Sequence, residues 1–310
     1  MVAIINLNIS VDKTYCIPDF KKGETFRKDP DICVAGGKGV NVARVLKTLG
    51  INSTIFGFCM GEMGRYIIKK LNEEKLLYKI IHQKEGQSRT CITVADKNGT
   101  TTDINEEGPL ITKNSYRKFL NLIINEIPKY RYLCISGRTV RGADDNLYRE
   151  LIKNAKKNGI KTYIDITGKF LEISIKEGVE TVKINSKEFF ELSGKKNTIR
   201  NIRTVFEKYK KYGLKRLIVT DGSKKTIAID GKSIFIIKEV YIKDFVSSVG
   251  AGDSFMAGLI YCDIKKMNFI DTLKFATACA ISDCRTLGAG MITKKDTSSL
   301  ISHIKISQIG

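Results

Sequence analysis

The 310-residue chain carries 53 Lys and Arg against 33 Asp and Glu, a formal net charge of +20, with 42% hydrophobic and 28% charged residues. That composition is expected of a soluble globular protein with a large core, and no apolar run reaches the roughly 18–20 residues of a membrane span. Eight cysteines without a C-x-x-C pair, and only two histidines, His82 and His303, leave little material for a disulfide frame, a zinc site or a serine–histidine engine; reduced thiols in a cytoplasmic protein are the expectation.

The opening residues, "MVAIINLNIS", have neither a basic n-region nor a small-residue cleavage site, so no signal peptide is expected. Next comes "AGGKGVNVARVLKTLG" (35–50). Val42, Val45, Leu46 and Leu49 recur at helical spacing and Gly50 closes the run. Gly36, Gly37 and Gly39 precede the helix, with Lys38 among them and Asn41 in its first turn. Such a start is ready for an anion, because unpaired backbone amides and the helix dipole favour negative charge there. A flexible turn before a core helix is the bland alternative.

The segment "RTCITVADKNGTTTDIN" (89–105) alternates apolar and polar residues around Asn98-Gly99 and predicts a β-hairpin, able to project as a lid. Buried parallel strands are expected at "YLCIS" (132–136), "KTYIDI" (161–166), "TVKIN" (181–185) and "RLIVT" (216–220). Amphipathic helices at 145–159 and 198–213, stopped by Gly159 and Gly213, alternate with them. This alternation predicts an α/β fold with a mostly parallel sheet covered by helices. A second hairpin is expected at 226–237, around Asp230-Gly231.

The excess charge suits phosphate-bearing partners. The densest basic stretch, "VFEKYKKYGLKRL" (205–217), reads as a solvated helix face leading into a strand, so nucleic acid is not the expected partner.

The most telling segment is "DFVSSVGAGDSFMAG" (244–258). Phe255, Met256, Leu259 and Ile260 have helical spacing, which makes Gly250, Ala251 and Gly252 the turn into a helix and Asp253 a first-turn acid. A nest of amides there suits a phosphoryl group gaining charge in a transition state. A helix cap alone would account for the acid, but not for the flanking Gly-x-Gly. The segment is neither a Walker A loop nor a dinucleotide fingerprint: "DGKS" (230–233) has Thr226 where the first glycine belongs, and Phe255 holds the third-glycine position after Gly250.

Together "GGKGVNVARVLKTLG" and "SSVGAGDSFMAG" resemble the two signatures of the PfkB carbohydrate kinases, and the likeness runs through nearly the whole chain. "LNISVDKTY", "SRTCITVADKNGTTTDINEEGP" and "KINSKEFFEL", with its N-x-x-E of Asn185 and Glu188, add to it, and the nearest branch phosphorylates sugar phosphates, as in 1-phosphofructokinase and tagatose-6-phosphate kinase. The resemblance implies one ribokinase-like domain over 1–310: a three-layer αβα sandwich with a small β-sheet lid from segments near 12–34 and 89–105.

It also implies ATP and Mg²⁺ as cofactors and a ketohexose phosphate as acceptor, with a homodimer through the lid by analogy. Asp253 would be the base, and Gly250, Ala251 and Gly252 the anion hole. Asp12, Gly37 and Asn41 would bind sugar hydroxyls; Lys38 and Arg89 would pair with the sugar's phosphate, near Asn105, Glu106 and Arg138. Asn185 and Glu188 would organise the metal, and Thr220, Gly222 and Asp283 would border ATP. The chain departs from the family pattern at Met60, Arg138, Val140, Lys225 and Asp283. A kinase of an unphosphorylated sugar or nucleoside, and a non-catalytic nucleic-acid binder on the same fold, are the alternatives.

Overall fold

Short apolar runs form the centre of the fold, and the intervening amphipathic runs cover it. A computed structural model describes residues 1–97 and 100–309. In the first third lie β1 (Val2–Asn8), β2 (Ser10–Cys16), β3 (Ile32–Gly36), α1 (Lys38–Thr48), β4 (Ser53–Met60), α2 (Gly61–Glu73), β5 (Leu77–Gln83), β6 (Arg89–Ala95) and β7 (Thr101–Asn105). The middle holds α3 (Lys113–Glu126), β8 (Tyr132–Ser136), α4 (Asp145–Lys157), β9 (Lys161–Asp165), α5 (Lys169–Glu177), β10 (Thr181–Asn185), α6 (Ser186–Ser193), α7 (Ile199–Lys210) and β11 (Arg216–Thr220). The rest comprises β12 (Thr226–Asp230), β13 (Ser233–Ile237), α8 (Ala251–Ile264), α9 (Phe269–Cys284), α10 (Lys294–Leu300) and β14 (Ile306–Ile309).

Ten strands form one sheet in the order β14-β13-β12-β11-β10-β9-β8-β1-β4-β5. From β11 to β5 every pairing is parallel; β12, β13 and β14 add on antiparallel. The four strands expected from sequence at 132–136, 161–166, 181–185 and 216–220 are β8 to β11, neighbours in sequence order. The 226–237 hairpin is β12–β13, turning at Gly231 with φ 61.

The two faces of the sheet carry separate cores. Along β1, Ala3, Ile5 and Leu7 point into one with Phe119, Leu147, Leu151, Ile175 and Phe206, while Val2 and Ile4 point into the other with Val42, Leu46, Met256, Leu259 and Leu273. The period-2 alternation of a strand buried on both faces therefore gives helix–sheet–helix layers. Helix α8 is buried along most of its length, from Asp253 through Ile260, because it packs against both α1 and α9. No helix among the described residues is long and apolar enough to cross a membrane.

A second sheet, ordered β3-β2-β6-β7, stands apart from the first. Its strands β6 and β7 pair antiparallel, as expected of the 89–105 hairpin, but the turn at Asn98-Gly99 lies outside the described residues. Direct cross-strand partners share a face. Asp12 lies opposite Val34 and Cys91, and Cys91 opposite Asn105, so one transverse row carries Val34, Asp12, Cys91 and Asn105. The adjacent row on that face holds Gly36, Ser10 and Arg89.

Candidate active site

Parallel strands end together, and so do their loops; ligands of open α/β sheets bind beyond these carboxyl ends. Here the ends bring Asn6 and Asn8 of β1, Ser136 at the end of β8 with Gly137 just past it, Asp165 of β9, Asn185 of β10 and Thr220 of β11 to one rim. Helices α1 and α8 pack against each other, and their first turns meet through Asn41 and Asp253.

Asp253 sits in the first turn of α8, whose N-cap is Gly250 at φ 90, ψ −15. A side chain at Gly250 would be strained by that φ, and its Cβ would stand 2.6 Å from both Ala289 and Asp283. The Asp253 carboxyl is 5% exposed and accepts a hydrogen bond from Asn41 Nδ2 at 2.8 Å. Burial pushes it from 3.8 up to about 7, with Asp165 adding to the rise and Lys38, Asn41 and Lys183 opposing it. A carboxyl poised near neutral pH can take a proton from a hydroxyl and return it.

The turn before Asp253 offers fewer amides than its sequence promises. The Asp253 amide donates to the Gly250 carbonyl at 2.9 Å and the Ala251 amide to Ser248 at 3.3 Å. Among the described residues, the amides of Gly250 and Gly252 have no such acceptor. Those two are left to meet an anion, helped by the α8 dipole and by Lys183, whose Nζ lies 2.6 Å from where a Cβ of Gly252 would be.

The anion-ready reading of the α1 start needs correction. Asn6 Oδ1 accepts from the amides of Gly39 at 2.7 Å and Val40 at 3.2 Å, so a buried side chain from β1 already satisfies them. The glycines serve close approach instead: a Cβ on Gly36 would fall 1.8 Å from the Asp12 carboxyl carbon, and one on Gly37, at φ 108, 2.8 Å from Asn6 Oδ1.

Lys38 and Arg89 have separate sets of partners. Lys38 Nζ donates to Asp165 at 2.7 Å and Glu188 at 3.4 Å, and these acids together with Asp253 overcome burial and raise its pKa. Its ammonium thus lies at the rim beside Asp253, among partners separate from those of Arg89. Asp165 is fully buried between Lys38 and Lys183, the latter at 2.6 Å. Burial raises its pKa, but Lys183 and then Lys38 outweigh that and hold it at about 2.

Arg89 lies under the small sheet, donating to the carbonyls of Asn8 at 3.3 Å and Glu106 at 3.4 Å. Asp12 accepts from Ser10 at 2.6 Å, and its pKa is raised by burial against the pull of Ser10, Arg89 and Arg44. Glu106 takes the Thr90 amide at 2.7 Å. A cavity of about 580 Å³ opens here, lined by Gln83, Gln87, Arg89, Glu106, Gly108 and Thr112 among others. Asn105 is exposed on the Asp12 row, and Arg138 is exposed just past Gly137, whose Cβ position lies 3.7 Å from Lys38 Cβ.

The N-x-x-E pair is a reciprocal helix cap. Asn185 Oδ1 accepts from the Glu188 amide at 2.9 Å, and Glu188 Oε2 accepts from the Asn185 amide at 2.8 Å. This leaves Oε1 of the buried Glu188 facing Lys38. Among the described residues no group of three or more metal-binding side chains gathers in one place. One carboxylate fits Mg²⁺ all the same, because that ion keeps much of its water and is otherwise held by substrate phosphates.

Thr220 pairs with Asn185 across β10 and β11, and Gly222 follows in an exposed turn at φ 57. Lys225 is exposed beyond it. Asp283 is the misplaced member of the nucleotide set: it is 0% exposed, with Oδ1 accepting from the Met291 amide at 2.8 Å. Buried this way beneath the Gly250 turn, it cannot line a nucleotide surface.

Four residues escaped the sequence reading: Asn6, Arg44, Asp165 and Lys183. Arg44 donates to Glu74 twice, at 2.5 and 2.9 Å, to Ala35 and Ala289 carbonyls, and to Asn41 Oδ1 at 2.9 Å. It thereby turns the Asn41 amide so that its NH₂ faces Asp253. A signal existed for three of them: Asn6, Asp165 and Lys183 are polar or charged residues in short strand segments that are mostly buried.

The chain matches the family described as pfkB family carbohydrate kinase over residues 5–295. It is 26% identical over 309 residues to a 1-phosphofructokinase of Haemophilus influenzae, covering 99% of this chain and 98% of that one. A crystal structure from Thermotoga maritima, described as a possible 1-phosphofructokinase, superposes with a TM-score of 0.89 at 26% identity, covering 100% and 99% of the two chains. An Arabidopsis thaliana ribokinase structure shares the fold at a TM-score of 0.73 and 20% identity, over 97% and 98%.

Proposed function

We propose a reaction for this chain, which belongs to the pfkB family of carbohydrate kinases: transfer of the γ-phosphoryl group of ATP to a hydroxyl of a ketohexose phosphate, giving the bisphosphate. Fructose 1-phosphate is the acceptor we favour, because the similar curated protein and the Thermotoga structure both carry the name of its kinase; tagatose 6-phosphate is the second candidate. The observation that carries the reading is Asp253, buried in the first turn of α8 with its carboxyl near neutral pKa and cations beside it.

Asp253 takes the proton of the acceptor hydroxyl, held in position by Asn41, itself oriented by Arg44. The Gly250 and Gly252 amides, Lys183 and Lys38 face the charge that moves with the phosphoryl group. Asp12 and Asn105 meet sugar hydroxyls, with Gly37 at the start of α1 beside them. Arg89 and the cavity beside Glu106 receive the phosphate already on the sugar, and Arg138 closes the mouth. Asn185, Thr220 and Gly222 border the nucleotide. Mg²⁺, when bound, neutralises the polyphosphate, and Glu188 Oε1 is the side chain that would hold it through water.

The four-stranded sheet serves as a lid that keeps water from the transfer. Its outer strand β7, with Ile104 61% exposed, is where a second copy would pair. Residues 1–310 act as one kinase domain in the cytoplasm. A coupled ADP-release screen of fructose 1-phosphate, tagatose 6-phosphate, fructose 6-phosphate and free sugars tests the assignment. Turnover with fructose 1-phosphate above the others supports it, and turnover only with an unphosphorylated sugar overturns it.

A further inference from the structure

Two buried acids at the rim turn one oxygen each toward the same gap. Asp165 is 0% exposed and Glu188 6%. Their second oxygens are taken from elsewhere: Asp165 Oδ2 accepts from Lys183 at 2.6 Å, and Glu188 Oε2 from the Asn185 amide at 2.8 Å. The first oxygens, Asp165 Oδ1 and Glu188 Oε1, both meet Lys38 Nζ, at 2.7 and 3.4 Å. Asp253 stands close enough to add to the field on that ammonium.

Paired carboxylate oxygens of this kind are donors for a hard divalent ion, and magnesium asks for no more than one or two of them because it keeps several waters. Two such acids packed together also need a positive charge between them. Lys38 supplies it. Burial works against its charge, but Asp165, Glu188 and Asp253 outweigh burial and raise its pKa, so it stays an ammonium. Unlike an ion, it is tethered. Lys38 is the first residue of α1, and Asn6 fixes that helix start through the Gly39 and Val40 amides. A charge held this way does not leave with a product.

We propose that Lys38 is a resident cation, holding between Asp165 and Glu188 the place that a second divalent ion would otherwise take. Glu188 is then left to meet the nucleotide's own divalent ion through water, since Oε1 is shared with the ammonium. Lys38 is thus a positioning residue for the two acids as well as a charge facing the phosphoryl group. The catalytic half of this inference rests on the kinase reading; the ion-binding half does not.

The test is Mn²⁺ titration of the full chain without nucleotide, read by electron paramagnetic resonance. Wild type should bind Mn²⁺ weakly. Lys38→Met keeps much of the stem and deletes the charge; it should gain one Mn²⁺ site, about ten- to a hundredfold tighter than wild type, the effect of removing a positive charge a few ångströms from a divalent ion. The Lys38 side chain is 37% exposed, so its truncation opens no sealed cavity. Lys38→Gln should gain the same site and serves if Lys38→Met fails to fold. Lys38→Arg should behave as wild type, and Glu188→Gln added to Lys38→Met should remove the new site. In coupled ADP release, wild-type velocity should be flat in free Mg²⁺ beyond that bound to ATP. A tight Mn²⁺ site in wild type, no gain in folded Lys38→Met or Lys38→Gln, a gain that survives Glu188→Gln, or a wild-type velocity that keeps rising with free Mg²⁺ overturns the inference. If the Mn²⁺ results hold while wild type turns over no acceptor, the kinase reading falls and the resident cation stands.

Discussion

Replacing Asp253 with Asn separates a catalytic role from a folding cost. The carboxyl is buried and carried from 3.8 to about 7, a displacement worth about 4 kcal/mol. Between those two values the folded chain keeps a proton that the unfolded chain has released. Stability therefore falls as pH rises through that window and levels off above it. Asparagine has the same shape and no charge, so Asp253→Asn should match wild type in stability at about pH 4 and exceed it by about 4 kcal/mol at about pH 8. For a chain of this size that corresponds to about 6 °C in Tm. The same change removes the proposed base, and kcat should fall by about 10²- to 10⁴-fold. Thermal melts across pH and coupled ADP release read the two effects independently. Wild-type kcat/KM should rise with pH through about 7. A variant that melts with wild type at about pH 8 refutes the burial cost, and one with near-normal kcat refutes Asp253 as the base.

Other substitutions divide the site. Arg89→Ala should raise KM for the sugar phosphate about ten- to a hundredfold, the loss of one charged hydrogen-bonding partner, with KM for ATP nearly unchanged; equal shifts in both would remove Arg89 from the acceptor side. Lys38→Ala, by contrast, should act mainly on kcat, since its ammonium lies with Asp165 and Glu188; a selective rise in sugar-phosphate KM would restore it to the phosphate clamp. Asp165→Ala leaves Lys183 buried without its acid and should cost about 3–5 kcal/mol by denaturant titration, with no loss expected if the pair is idle. Because its folded pKa is held at about 2, the stability Asp165 contributes should be present above about pH 4 and fade as pH falls toward 2; a melt unchanged by acid in that window counts against it. Gly250→Ala should abolish most turnover, because its φ of 90 and the 2.6 Å approach of Ala289 leave no room for a methyl group; crystallography of an active variant would expose an error.

The sequence alone determined what is local. Short apolar runs at 132–136, 161–166, 181–185 and 216–220 declared buried strands, because a strand covered on both faces has no polar side to show. Glycines at 36, 37, 250 and 252 marked close approaches, since the lack of a Cβ is legible in one residue. Resemblance supplied the proposed roles of Asp253, Asp12 and Glu188, but not their surroundings.

The tertiary structure decided which groups share a charge. Lys38 meets Asp165 across 127 residues, and Asn41 meets Asp253 across 212. No spacing in a chain encodes such contacts; they follow from parallel strands aligning their carboxyl ends. Asn6 consuming the first amides of α1, Arg44 turning Asn41, and Asp283 disappearing beneath the Gly250 turn have the same origin. Burial and partnership set the protonation of a carboxyl, and both are properties of the packed sheet and helices rather than of the residue's neighbours in sequence.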